Sequence, residues 1–270
     1  MKIIKAKILE SKKITPHHCR VRIESGYLAK AIRPGQFIEV RCSGGTDPLL
    51  RRPLSVHRIS KNWIEVLFEI VGKGTELLSM KVPGETLDVI GPLGNGFILP
   101  HDPCPSIIIA GGVGVAPLLA LAEELGSRVK SQGSSEKIKP LVLIGAKTKS
   151  HILCEKEFKK LGCKVSTSTE DGSKGYKGFI TDLLTKEISA KRYPLNAIIY
   201  ACGPIGMLKA VSAIAKQHSV PCQVSLEEHM ACGVGVCLGC PVKVRKDLVD
   251  HEYKMVCKDG PVFGSEQIIW

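Results

Sequence analysis

The chain of 270 residues contains no long uninterrupted apolar run. Its longest apolar stretch, 107–122, is broken by Gly111, Gly112, Gly114 and Pro117 and is shorter than the roughly 20 residues a membrane-spanning helix needs. Residues 1–10 mix Lys and Ile with no apolar h-region, so no secretory leader is expected. A cytoplasmic location with reduced thiols follows as the expectation. Aromatics make up only 5% of the chain and no internal repeat is visible. The net charge of +12 also lacks a nucleic-acid signature: residues 1–100 carry 16 Lys/Arg against 9 Asp/Glu, 101–222 carry 17 against 10, and 223–270 carry 5 against 7. A basic excess spread over two thirds of the chain, with few aromatics to stack on bases, reads as a solvated Lys-rich surface. No nucleic acid and no membrane are expected as partners.

Three sequence textures succeed one another. Residues 1–99 show short alternating segments at 3–9, 20–24, 37–41, 63–70 and 86–90, separated by Gly and Pro, as in an antiparallel β-barrel. In the third of these, Ile38 and Val40 alternate with Glu39 and Arg41, which predicts a strand with one solvated face. From 100 to 222 apolar strands (107–110, 141–144, 164–168, 197–201, and 223–226 just beyond) alternate with helices (to 125, 155–161, 179–188, 207–217). That rhythm predicts parallel βαβ units in a covered open sheet, with 130–139 as a solvated loop. Residues 223–270 are dense in Cys and Gly and too poor in apolar residues for a core, so an inorganic centre is expected to hold them. The fold class predicted is therefore multi-domain: an N-terminal barrel (1–99), a central α/β parallel-sheet nucleotide-binding domain (100–222) and a small C-terminal cluster segment (223–270).

Cysteine is the residue in surplus. Of eleven, four fall as Cys232-x4-Cys237-x2-Cys240-x16-Cys257, with Gly233, Gly235 and Gly239 between them. The first three reproduce the plant-type [2Fe-2S] spacing, in which a looping backbone wraps the cluster and turns its amides onto the sulfurs. A structural zinc site is the competing reading, but zinc ribbons usually pair two short two-cysteine knuckles, and here the fourth ligand arrives alone. The other seven cysteines show no ligand spacing and read as small buried hydrophobes.

Other motifs are weaker when taken singly. Gly111-Gly112-x-Gly114 lies between a predicted strand and a helix, where backbone N–H groups and the helix start suit a pyrophosphate; tight strand-to-helix packing also selects glycine. Cys202-Gly203-Pro204 lies at the predicted carboxyl edge of the same sheet. In the barrel region, Arg51-Arg52-Pro53-Leu54-Ser55 and Gly72-Lys73-Gly74-Thr75 combine an Arg fork with a Gly-Thr nest that suits a diphosphate, although each also fits a β-turn. Residues 91–97 read as a turn closing the domain.

Taken in order, Pro34-Gly35-Gln36-Phe37, Arg52-Pro53-Leu54-Ser55, Gly72-x-Gly74-Thr75, Gly91-Pro92-Leu93-Gly94, the Gly111 turn and Cys202-Gly203-Pro204 resemble the ferredoxin-reductase-type flavoproteins. The segments 227–233 and 256–263, with Thr169-Glu170-Asp171-Gly172-Ser173, narrow the resemblance to electron-transfer subunits of dihydroorotate dehydrogenase B. The resemblance implies FAD on the barrel, NAD on the α/β domain and a [2Fe-2S] cluster held by Cys232, Cys237, Cys240 and Cys257. It assigns Arg52, Pro53, Leu54, Ser55, Leu67, Phe68, Glu69, Gly74 and Thr75 to FAD, and Gly111, Gly112, Gly114, Cys202, Gly203 and Pro204 to NAD. Leu54 replaces an aromatic common in flavin reductases, and Glu69 stands where a basic residue is common. Lys147 and Lys149 could pair a 2′-phosphate, whereas the resemblance favours NAD.

The resemblance further implies an FMN-containing dihydroorotate dehydrogenase catalytic subunit as partner, in a heterotetramer of two of each, serving de novo pyrimidine (UMP) synthesis. A reductase subunit of a hydrogenase, sulfide dehydrogenase or NAD(P)H:ferredoxin transhydrogenase shares the same three modules. A zinc-stabilised nucleotide-binding regulator without turnover is the non-redox alternative.

Overall fold

A computed structural model describes residues 1–102, 104–131, 139–190, 197–247 and 249–270. Residues 132–138 of the expected loop lie outside this description. By contact the chain divides into two units, one of 1–96, 228–242 and 253–261, the other of 97–227, 243–252 and 262–270. The Cys-rich stretch thus contributes to both.

The first unit is built on six antiparallel strands: β1 (Lys2–Thr15), β2 (His18–Glu24), β3 (Phe37–Arg41), β4 (Arg52–Ile59), β5 (Trp63–Glu69) and β6 (Thr86–Leu93). They close in the order β1-β2-β5-β4-β3-β6. Alternate residues fill the interior, among them Ala6 and Ile8, Val21 and Ile23, Ile38 and Val40, Leu54 and Val56, Ile64 and Val66, Leu87 and Val89. This is the period-two packing a small closed barrel requires. Two short helices join the strands, α1 (Gly26–Ala31) and α2 (Lys73–Ser79). α1 starts where the Ser25 hydroxyl accepts the Leu28 amide at 3.2 Å.

Several elements depart from the sequence expectation. β1 runs past Glu10 to Thr15, and the Arg51–Ser55 motif opens a full strand. Gly72-Lys73-Gly74-Thr75, read as a nest or turn, is the first turn of α2. Residues 91–93, expected in a turn, complete β6.

The second unit carries a seven-stranded sheet in the order β10-β9-β8-β7-β11-β12-β15. Its strands are β7 (Ser106–Gly111), β8 (Leu141–Ala146), β9 (Lys164–Thr169), β10 (Tyr176–Lys177), β11 (Ile198–Cys202), β12 (Cys222–Ser225) and β15 (Val262–Gly264). All neighbours pair in parallel except β15, which runs antiparallel to β12 at the edge. Every residue of β7 is buried, as a strand covered on both faces must be. The accompanying helices are α3 (Ala116–Ser131), α4 (Glu155–Lys160), α5 (Ile180–Ser189) and α6 (Ile205–Gln217). α3 continues beyond the expected end at 125, because Gly126 costs a helix little when Leu118, Leu121, Ala122 and Leu125 already bury its face. β13 (Pro241–Arg245) and β14 (His251–Met255) form a separate two-stranded sheet that the sequence did not announce. No described helix is long and apolar enough to cross a membrane.

Ile64 is fully buried in the barrel interior. Ile64→Ala is expected to cost the barrel about 2–5 kcal/mol, through lost transfer energy plus the cavity left behind. The shift of its denaturation midpoint in urea measures this.

Candidate functional site

The four spaced cysteines lie on two stretches of the first unit, Cys232, Cys237 and Cys240 on 228–242 and Cys257 on 253–261. Cys232 is half-buried, Cys237 exposed, and Cys240 and Cys257 buried. Backbone amides turn onto their sulfurs. Val234, Val236 and Cys237 N–H all donate to Cys232 Sγ at 3.4 Å, Gly235 N–H donates to Cys257 Sγ at 3.1 Å, and Cys257 N–H donates to Cys240 Sγ at 3.4 Å. Gly233 and Gly235 both have positive φ, 68° and 82°, which lets the chain curl this tightly.

The consequences for the thiols are opposite. Partial burial opposes ionisation of Cys232, yet the amides and the neighbouring Cys237 thiol outweigh it and bring Cys232 down to about 6. Burial, and then the adjoining Cys240 thiol, pushes Cys257 up to about 12. The thiols therefore fall into two neighbouring pairs, Cys232 with Cys237 and Cys240 with Cys257. Two thiol pairs under converging amides fit a two-iron cluster, one pair for each iron.

The loop is fixed to the barrel end. Asn95 Nδ2 donates to the carbonyls of Lys258 and Asp259 at 3.2 and 2.9 Å, and the Asn95 amide donates to the Gly260 carbonyl. Gly94 leaves no room for a side chain, since a Cβ there would lie 2.6 Å from the Gly260 carbonyl oxygen. Beneath the loop sits Glu39, which the alternation of β3 placed on a solvated face. It is instead fully buried. A Cβ on Gly233 would meet its Cγ at 2.6 Å, so the cluster loop lies directly on this carboxylate. Burial raises Glu39 to about 7; Arg51 and Arg52 pull it down and Cys232 pushes it up. Periodicity could not reveal this, because the cover comes from a segment almost two hundred residues later.

On the barrel, the Arg52 guanidinium donates to the carbonyls of Leu50 and Arg51 at 2.8 and 3.1 Å and lies over Gly74, where a Cβ would be 2.7 Å from its Nε. A side chain at this position would displace the guanidinium. The Thr75 hydroxyl is engaged within its own helix start, accepting from the Val71 and Gly72 amides at 3.0 and 3.2 Å. Pro53 and Ser55 are half-buried on β4, whereas Leu54 points into the barrel core. At the end of β5, Phe68 belongs to that core, Leu67 is buried and Glu69 is half-buried.

In the second unit the two distant glycine motifs meet. β7 and β11 are adjacent parallel strands with Ala110 opposite Cys202, so Gly111-Gly112-x-Gly114 and Cys202-Gly203-Pro204 emerge side by side at the carboxyl edge. A Cβ on Gly114 would lie 2.5 Å from the Cys202 carbonyl oxygen and 2.6 Å from Gly203 Cα. Gly112 (φ 55°) faces open space. Close packing thus explains Gly111 and Gly114, while the position is the ligand-binding edge of an open α/β sheet. Cys202 is buried, and burial together with the Glu227 carboxylate holds its thiol well above the usual value. Next along the edge, the Lys149 amide donates to Ser173 Oγ at 2.8 Å and the Asp171 amide to the Lys147 carbonyl at 3.3 Å. The Ser173 hydroxyl and amide hold Asp171 below the ordinary carboxylate range.

Comparison with known proteins supplies the decisive observation. Residues 227–269 match the iron-sulfur cluster binding domain of dihydroorotate dehydrogenase B, and 108–213 match an oxidoreductase NAD-binding domain. The dihydroorotate dehydrogenase B (NAD(+)) electron transfer subunit of Desulforamulus reducens is 40% identical, with 100% of this chain and 99% of the relative covered. The chain belongs to this family.

The corresponding electron transfer subunit of Caldanaerobacter subterraneus subsp. tengcongensis is 38% identical over 99% of this chain and 98% of its own. Among solved structures, that of an NADH-dependent reduced ferredoxin-NADP oxidoreductase superposes with a TM-score of 0.81 at 31% identity, covering 98% of this chain and 90% of its own. A ferredoxin NADP+ reductase from Neisseria gonorrhoeae with bound FAD and NADP shares the fold at 18% identity, with a TM-score of 0.63 over 81% of this chain and 92% of its own. The amide-lined loop described above lies within the segment that matches the cluster-binding domain. In protein stripped of iron, iodoacetamide at pH 7 should modify Cys232 readily and leave Cys257 untouched, since only the first is mainly thiolate there. Peptide mass mapping reads the order.

Proposed function

We propose that the chain carries electrons between NAD(H) and an FMN-containing dihydroorotate dehydrogenase catalytic subunit, by way of FAD and a [2Fe-2S] cluster, in de novo pyrimidine (UMP) synthesis in the cytoplasm. The observation that carries this reading is the two pairs of thiols under converging amides within a segment that matches the family's cluster domain. The proposed modules along the sequence are 1–99 for FAD, 100–222 for NAD and 223–270 for the cluster, the last shared between the two units by contact.

FAD, when bound, supplies the exchange between a two-electron hydride and the single electrons a cluster accepts. The protein's part is to bind and orient. Arg52, backed by Gly74 and Thr75, holds the FAD diphosphate; Pro53, Ser55, Leu67 and Glu69, with the backbone of Leu54 and Phe68, whose side chains fill the barrel core, form the wall for the rest of the cofactor. Gly111, Gly112 and Gly114, with Cys202, Gly203 and Pro204, take the dinucleotide at the sheet edge. NAD is the proposed dinucleotide rather than NADP, in keeping with the names of the curated relatives. Cys232, Cys237, Cys240 and Cys257 ligate the cluster. Val236 and Leu238, 78% and 66% exposed, flank Cys237 and give the partner an apolar surface beside an exposed ligand. A heterotetramer of two of each chain is the proposed assembly.

The likeness to the NADH-dependent reduced ferredoxin-NADP oxidoreductase supports a second reading, as a reductase subunit in such an assembly. Co-purification separates the two. A partner that holds FMN and oxidises dihydroorotate supports the first, and a partner with several iron-sulfur centres supports the second.

Cys237→Ser is expected to leave NADH-dependent flavin bleaching intact and to abolish electron delivery to the catalytic subunit. Loss of both together would count against an ordered relay. Arg52→Ala should lower FAD affinity at least about tenfold by removing a charge-assisted contact to phosphate, read by flavin fluorescence on dilution.

A further inference from the structure

The barrel contains two fully buried carboxylates among the described residues, Glu39 and Glu65. Their surroundings differ. Glu65 is gripped by Arg22 at 2.9 Å and by Arg20 at 3.4 Å. Neither oxygen of Glu39 has a hydrogen-bond partner. Its cross-strand neighbours are Pro53 on β4, which has no N–H, and Ile90 on β6. The nearby cations are committed elsewhere, Arg51 to the Asp88 carbonyl and carboxylate and Arg52 to the Leu50 and Arg51 carbonyls. An unpaired buried carboxylate is costly, and a fold that only needed to fill this slot would use an apolar side chain. The cluster loop lies on it at Gly233, next to Cys232.

We propose that Glu39 is a positioning residue that sets the potential of the iron-sulfur cluster: its buried charge beneath Gly233 makes the cluster harder to reduce. The sign follows from Coulomb's law. Above the pH at which Glu39 takes up a proton, reduction adds one electron and no proton, so the product carries one more negative charge and is disfavoured by the ionised neighbour in a poorly screened site. The consequence is a cluster poised lower against the flavin than the amide bonds alone would set.

This inference rests on the cluster reading above, so iron and sulfide are assayed first. Absence of a two-iron cluster in the wild-type holoprotein would defeat that reading. With the cluster present, dye-equilibrated titration at pH 8.5, above the value of about 7 for Glu39, is followed by EPR for wild type and Glu39→Gln. The variant's ratio of reduced to oxidised cluster at fixed poise should rise about tenfold, which for one electron is about 59 mV, while the flavin's own ratio stays unchanged. Glu39→Asp, which keeps the charge but withdraws it, should raise the ratio in the same direction by less. An unchanged or lowered ratio in either variant that retains full cluster overturns the proposal. Should neither assemble, the reduced-minus-oxidised infrared spectrum of glutamate-labelled wild type must show a perturbed carboxylate band, and its absence overturns it equally.

Discussion

Sulfur atoms buried at a protein surface need hydrogen-bond donors, and this chain meets that need with backbone alone. Five amides between residue 234 and residue 257 converge on three cysteine sulfurs, which requires a chain curled too tightly for side chains at Gly233 and Gly235. A curl of this kind has few internal contacts and must be held from outside. Asn95 does so from the barrel end, and the underside of the loop rests on β3 through Glu39. The barrel therefore serves as the base on which the cysteines are presented, in addition to its role as a cofactor fold.

The dinucleotide edge illustrates a different use of the same residue. Gly114 is required by the close approach of the β11 turn, whose backbone lies within 3 Å of where a Cβ would stand, and a Cβ on Gly111 would meet the Pro204 ring and the Met207 sulfur at 2.7 and 2.8 Å. Packing and ligand binding are not competing explanations here. Bringing two strand ends so near each other is what creates a shallow, backbone-lined edge, and Gly112, facing open space, is the position left over for a visitor.

Much of this was legible in the sequence because it rests on local rules. The apolar runs of β7 and β8, the helix periods and the spacing of the first three cysteines, Cys232 to Cys240, are each encoded within a dozen residues. What escaped depends on distant segments. Glu39 looked solvated because alternation reports only that a strand has two faces, and the cover for its outer face lies at residue 233. Gly72-Lys73-Gly74-Thr75 looked like a turn because two glycines mask a helix start that the Thr75 hydroxyl secures. β13, β14 and β15 are three to five residues long, and their pairing is set by partners elsewhere rather than by their own composition.

The last stretch of chain alternates between the units: 228–242 with the barrel, 243–252 with the sheet, 253–261 with the barrel again, and 262–270 with the sheet, where β15 supplies an edge strand. Neither unit is a cassette that a gene fusion could lift out whole. During synthesis, too, the barrel and the sheet emerge first but both stay unfinished until the ribosome has delivered these final turns, so maturation of the two is tied to a single late event.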